Sequence, residues 1–159
     1  MLFRSEVALA GAHNAMSNSD EGWHFANQAH GMLRQLDDGI RAMLIDVHPA
    51  DASTPEVPPG DAVLCHGLCA IGHLPLDEGF TRIRTWLDAH PREVLVFVIE
   101  DYVPADRITL ALTRSGLLSS CLHRDLGQPF PTLGEMITSG RRVFIMLESG
   151  AAAPAWAHG

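Results

Sequence analysis

Four apolar segments of this chain each run out into an ionisable side chain, and that recurrence limits the possible folds more than any other feature. VALAGAHN at 7–14 reaches His13, AMLIDVH at 42–48 reaches Asp46 and His48, AVLCHG at 62–67 reaches His66, and VLVFVIED at 94–101 reaches Glu100 and Asp101. A fifth segment, RRVFIMLES at 141–149, follows Gly140. Helical spacing occupies the intervals: Met32, Leu33, Leu36 and Ile40; then Leu76, Phe80, Ile83, Trp86 and Leu87; then Ile108, Ala111, Leu112 and Ser115; and a brief helix within 131–139. Strands that alternate with helices are expected to pair in parallel, because each return to the sheet needs its own crossover. Five such units fit either a small doubly wound sheet or part of a closed (β/α) barrel. A full barrel takes about 250 residues, and the chain has 159.

Residues two apart on a strand share a face. Val7, Leu9, Gly11 and His13 therefore fall together, as do Leu44, Asp46 and His48, then Leu64 and His66, then Val96, Val98 and Glu100. On each face the polar residue comes last, at the carboxyl end where parallel α/β folds gather their functional groups. One lone histidine or acid there is ordinarily structural or a helix cap. Five at equivalent ends predict a shared pocket holding His13, Asp46, His48, His66 and Glu100, since clustered ionisable groups are costly to bury without pairing or a bound ion.

EVALAG at 6–11 is read as a strand buried on both faces, 12–30 as a long polar loop, and PADASTPEVPPGD at 49–61, with four prolines, as a surface loop. Trp23 and Phe25 in the first loop either line a pocket or pin the loop to the core. His24, His30, His73, His90, His123 and His158 are placed in loops or at helix ends, and Glu148 either joins the pocket or stays solvated. Cys65 and Cys69 are either bridged or buried thiols; three cysteines do not make a disulfide framework.

Composition narrows the function classes. A net charge of −8 with no Lys/Arg-rich run argues against a nucleic-acid partner and against electrostatic docking on anionic lipid. No apolar run approaches the roughly 20 residues that span a bilayer. The stripe at 75–89 is core rather than an interfacial membrane helix, because Asp77, Glu78 and Asp88 share its polar side.

The segments GAHNAMS, NQAHGMLRQLDDGIRAMLIDVH, LCHG, LDAHPREVLVFVIEDY and FPTLGEMITSGRRV resemble, in order and over about 6–149, the X-type catalytic domain of phosphatidylinositol-specific phospholipase C and its bacterial relatives. The resemblance implies a distorted TIM-type (β/α) barrel that hydrolyses phosphodiesters, with 1–159 supplying about the first five units of an incomplete barrel. It would lack three later units and a short N-terminal piece. Such an open piece is expected to be poorly stable and weakly active, with unpaired edges on its first and fifth strands, and to end within a loop at APAWAHG.

The same resemblance implies that His13 is the general base and His66 the general acid, a division suited to imidazole. Calcium-dependent members carry an Asn after the first histidine, an acid on the second strand and a Glu on the fourth; Asn14, Asp46 and Glu100 match, and hard oxygen ligands suit Ca²⁺. Metal-independent members carry an Asp and an Arg at the positions of Asn14 and His48. A further acid of the animal enzymes is Leu44 here. His48 is expected to contact substrate phosphate, ligate the ion or pair with Asp46. The implied substrate is a phosphodiester such as an inositol phospholipid, with transient membrane-surface contact, and export is expected by analogy with bacterial relatives. A glycerophosphodiester phosphodiesterase would show an early HRG and a Glu-x-Asp pair, which AHNA and LIDVH do not match; a catalytically silent binding domain would not need both His13 and His66.

Overall fold

The computed structural model describes residues 7–125, 127–149 and 154–158. Among the described residues seven strands form one sheet: β1 (Gly11–Ala12), β2 (Ala42–Pro49), β3 (Ala62–Cys65), β4 (His73–Pro75), β5 (Leu95–Asp101), β6 (Val143–Leu147) and β7 (Ala157–His158). The described residues also form the α-helices α1 (Met32–Asp37), α2 (Leu76–Ala89), α3 (Ala105–Arg114) and α4 (Leu133–Ser139). The path across the sheet is β4-β3-β2-β5-β6-β7, with β1 alongside the start of β2.

β1, β2, β5, β6 and β7 are parallel, each next to its predecessor among them. The segment holding His66 departs from expectation. β3 runs antiparallel to β2, and β4 antiparallel to β3, so AVLC opens a hairpin instead of a parallel unit. The 49–61 loop reverses the chain without a helix, and without a crossover helix the next strand returns antiparallel.

Two further expectations are corrected. The first strand is confined to Gly11–Ala12, and Val7 and Leu9 are 48% and 38% exposed, so the segment is not buried on both faces; Glu6 lies outside the described residues. The segment read as a terminal loop contains β7, which pairs with β6 and buries His158. The described sheet path therefore ends at β4 and β7, not at the first and fifth expected strands.

One sheet face carries the core. Met43, Ile45, Val47, Leu95, Phe97, Ile99, Val143, Ile145 and Leu147 are each 3% exposed or less. α2 lays Leu76, Phe80, Ile83, Trp86 and Leu87 on this layer, with Phe80 meeting Phe97 edge-on at 6.3 Å. Gly79 allows that approach, since a Cβ there would sit 2.7 Å from Leu64 Cδ1. Asp77 and Glu78 occupy the positive first turn of α2, and buried Arg142 donates to the carbonyls of Leu87 and His90 at its end. Pro91 prevents continuation. α4 starts with a reciprocal Thr132–Glu135 capping box.

Candidate functional site

The strand alternation that sends Ile45 and Ile99 into the core sends Asp46 and Glu100 to the opposite face, where parallel register sets them side by side. β3 reaches this point from the other side. Val47 pairs with Leu64 antiparallel, so the exit of β3 is carried back along β2 towards Asp46. His66, just past Cys65, donates from Nδ1 to Asp46 Oδ2 at 2.7 Å. The Asp46 side chain is 5% exposed and that of His66 44% exposed, so a buried carboxylate orients a ring that still reaches solvent. Asp46 Oδ1 is buried and has no hydrogen-bond partner among the described residues.

Asn14 completes the line. Its Nδ2 donates to His66 Nε2 at 3.2 Å, the pairing expected of a neutral imidazole protonated on Nδ1. Asn14 is buried and holds a left-handed backbone, φ 51°, which asparagine tolerates better than most residues. The loop around it is tied down at several points: Ala15 N–H to the Leu44 carbonyl at 2.9 Å, Gln35 Nε2 to the Ala15 carbonyl at 2.8 Å, and Gln28 Nε2 to the His13 carbonyl at 2.6 Å. Buried Trp23 pins this loop against Gly72, whereas Phe25 is 92% exposed and pins nothing.

The predicted pocket residues are therefore placed unequally. Asn14, Asp46 and His66 form one hydrogen-bonded chain, and Glu100 lies across the register from Asp46. His13 is exposed beside Asn14, and its imidazole makes no hydrogen bond among the described residues. His48 does not pair with Asp46 by hydrogen bond; it stacks on Tyr102 at 4.3 Å with 14° between planes. Burial pushes the His48 imidazole below its ordinary value, opposed by the charges of Asp46 and Glu100. Glu148 follows β6 directly and is exposed, its amide bonded to the Ile99 carbonyl.

Tyr102 was not anticipated. Its hydroxyl donates to Glu100 Oε2 at 3.1 Å, and that carboxylate raises the phenol above its usual range. The sequence signal was the spacing in Glu-Asp-Tyr: a residue two beyond Glu100 returns to the same side. Asp101 turns instead to Ser149, accepting from its amide and hydroxyl at 3.0 and 2.6 Å. Cys65 and Cys69 are joined by a disulfide that closes the segment bearing His66. Beside it a cleft of about 360 Å³ opens between His48, Asp51 and Leu68.

The PI-PLC X 1 family model matches residues 3–156. The chain belongs to the PI-PLC X family. PI-PLC X domain-containing protein 1 of Arthroderma benhamiae is 27% identical over 169 residues, covering 92% of this chain and 48% of that protein. A second protein of the same fungus, named an uncharacterized secreted protein, is 27% identical over 130 residues, 77% of this chain and 28% of its own length. Among solved structures, the phosphatidylinositol-specific phospholipase C of Staphylococcus aureus superposes with a TM-score of 0.62 at 16% identity, covering 88% of this chain and 47% of that one. L. pealei PLC21 gives 0.59 at 14% identity, covering 92% and 18%. This PI-PLC X chain thus spans less than half the length of these relatives and shares the α/β fold of phospholipase C structures.

Proposed function

We propose that this PI-PLC X domain cleaves a phosphodiester next to a free hydroxyl, with inositol phospholipid as the substrate class, and that its parallel strands belong to a TIM-type barrel wall. The supporting observation is the Asp46–His66–Asn14 chain: a buried carboxylate on Nδ1 leaves Nε2 as the working nitrogen of an accessible ring. In this reading His13 takes the proton of the attacking hydroxyl, whose oxygen bonds to phosphorus. The bond to the leaving alcohol breaks, and His66 Nε2 gives that alcohol its proton, which produces a cyclic phosphate. Asp46 stabilises the imidazolium form of His66 before transfer. Asn14 must release Nε2 when that nitrogen carries a proton, which couples the Asn14 amide to the catalytic cycle.

Asn14, Asp46 and Glu100 would hold a hard divalent cation, Ca²⁺ in preference. The unpartnered Asp46 Oδ1 beside Glu100 suits such a ligand set. The cation would neutralise charge on the pentacoordinate phosphorus. His48 would contact the phosphate from the neighbouring strand end. Export is proposed from the disulfide, which persists in oxidising compartments, together with the relative named as secreted.

The test is turnover of inositol phospholipid vesicles with Ca²⁺ or with chelator. His66→Ala and His13→Ala should each lower turnover about 10²–10⁴-fold, and chelation should abolish it. Turnover undiminished by both substitutions rejects the acid–base assignment.

A further inference from the structure

The disulfide lies beside an imidazole that the acid–base reading does not use as a proton carrier. Nitrogen of His48 and the sulfurs of Cys65 and Cys69 all lie within 4.8 Å of one another, the one trio of His, Cys, Asp and Glu ligand atoms so grouped among the described residues. While the sulfurs are bonded to each other they are not thiolates and cannot hold a cation.

Each residue of the trio is also held by contacts other than that bond. Cys65 is fully buried with Ala50, Val57 and Val63, and is fixed in β3 by pairing with His73. His73 Nδ1 and the amide of Gly72 both donate to the Cys69 carbonyl, at 2.7 and 3.4 Å. His48 is fixed in β2 opposite Val63 and stacked on Tyr102. The 360 Å³ cleft lined by His48 and Cys69 leads to the trio from solvent.

We propose that reduction of Cys65–Cys69 creates a site for a thiophilic divalent cation of the Zn²⁺ class, held by both sulfurs and His48, with water in the open position. A dithiol supplies two electrons and two protons, becoming a disulfide itself, and Cys65 and Cys69 become thiols. The cation then displaces the two thiol protons and binds two thiolates and one neutral imidazole. Tetrahedral zinc sets such ligand atoms about 3.3–3.8 Å apart, so after reduction the two sulfurs separate from bonding distance, and the His48 nitrogen, within 4.8 Å of both, closes by roughly 1 Å at most. Because the cation binds only the dithiol form, it shifts the redox equilibrium toward reduction in proportion to its concentration. Binding also draws His48 from Tyr102.

Co²⁺ added to the chain after dithiol reduction and anaerobic desalting should give near-ultraviolet thiolate-to-cobalt absorption and visible tetrahedral bands, with none in the oxidised protein. His48→Gln should weaken Co²⁺ binding more than tenfold, at least the loss that follows removal of an outer-shell partner. Cys69→Ser should remove most of the near-ultraviolet band. X-ray absorption of the reduced, zinc-loaded wild-type chain should read two sulfurs and one imidazole, independently of how any variant folds. Absence of a thiolate band in the reduced chain overturns the proposal. So does cobalt affinity indifferent to His48→Gln, or a zinc shell without imidazole.

Discussion

The two faces of the strands β2, β5 and β6 are built from alternate residues of the same segments, yet they differ in nearly every physical respect. The helix-packed face presents Met43, Ile45, Val47, Leu95, Phe97, Ile99, Val143, Ile145 and Leu147, all essentially without solvent contact. The other face presents Leu44, Asp46, His48, Val96, Val98, Glu100, Phe144 and Met146, of which only Asp46 is buried. One face holds the fold by excluding water. The other keeps partial access to it while locking one carboxylate in place, which is what orienting a titratable ring requires. The packed core and the accessible ionisable groups are thereby separated by a single residue step along one strand.

The largest expected effect tests the packed face. Phe97→Ala, which removes the ring against Phe80, should cost about 3–5 kcal/mol in urea unfolding; a cost below about 1 kcal/mol would erase the contrast between the faces. Next comes Asp46→Asn on the other face. Loss of the carboxylate that holds His66 should lower turnover about 10–100-fold, and the pH profile of turnover should move with it. A fall in melting temperature that accounts for all of the lost turnover would make Asp46 a packing residue only.

The smallest effect is acid sensitivity. Burial lowers both His48 and His158, the latter stacked on Phe144 at 4.7 Å on the same face. A histidine whose folded value lies below its unfolded one binds fewer protons when folded. Its contribution to stability is therefore complete above about pH 6.5 and is lost as pH falls toward the folded value. Melting temperature should decline on acidification below that point, and His158→Gln should flatten the decline; an unchanged slope would remove His158 as a contributor.

Much of the site was legible because its signals are local. Alternation placed Asp46 with His48 and Glu100 with Val98 before any tertiary contact was known, and the helix α2 was readable from Leu76, Phe80, Ile83, Trp86 and Leu87 down to its stop at Pro91. Other features escaped for stated reasons. The direction of β3 escaped because AVLC carries the same apolar pattern in a parallel or an antiparallel strand. β7 escaped because Ala157–His158 is too short to show a period, and its pairing comes from β6. Val7 and Leu9 looked like core because an apolar run reports hydrophobicity, not the presence of a layer to cover it.

By itself the sequence determined which residues alternate between the core and the opposite face, where the helices stop, and which ionisable side chains fall at the strand ends, since these follow from backbone period and residue type within a few positions. Only the tertiary structure decided that His66 arrives on an antiparallel hairpin, that Asp46 takes its Nδ1 and Asn14 its Nε2, and that Cys65 bonds Cys69 beside His48. The reason is physical. A local pattern sets the face on which a side chain emerges, whereas its partner depends on register between segments distant in the chain, and register is set by packing of the whole sheet.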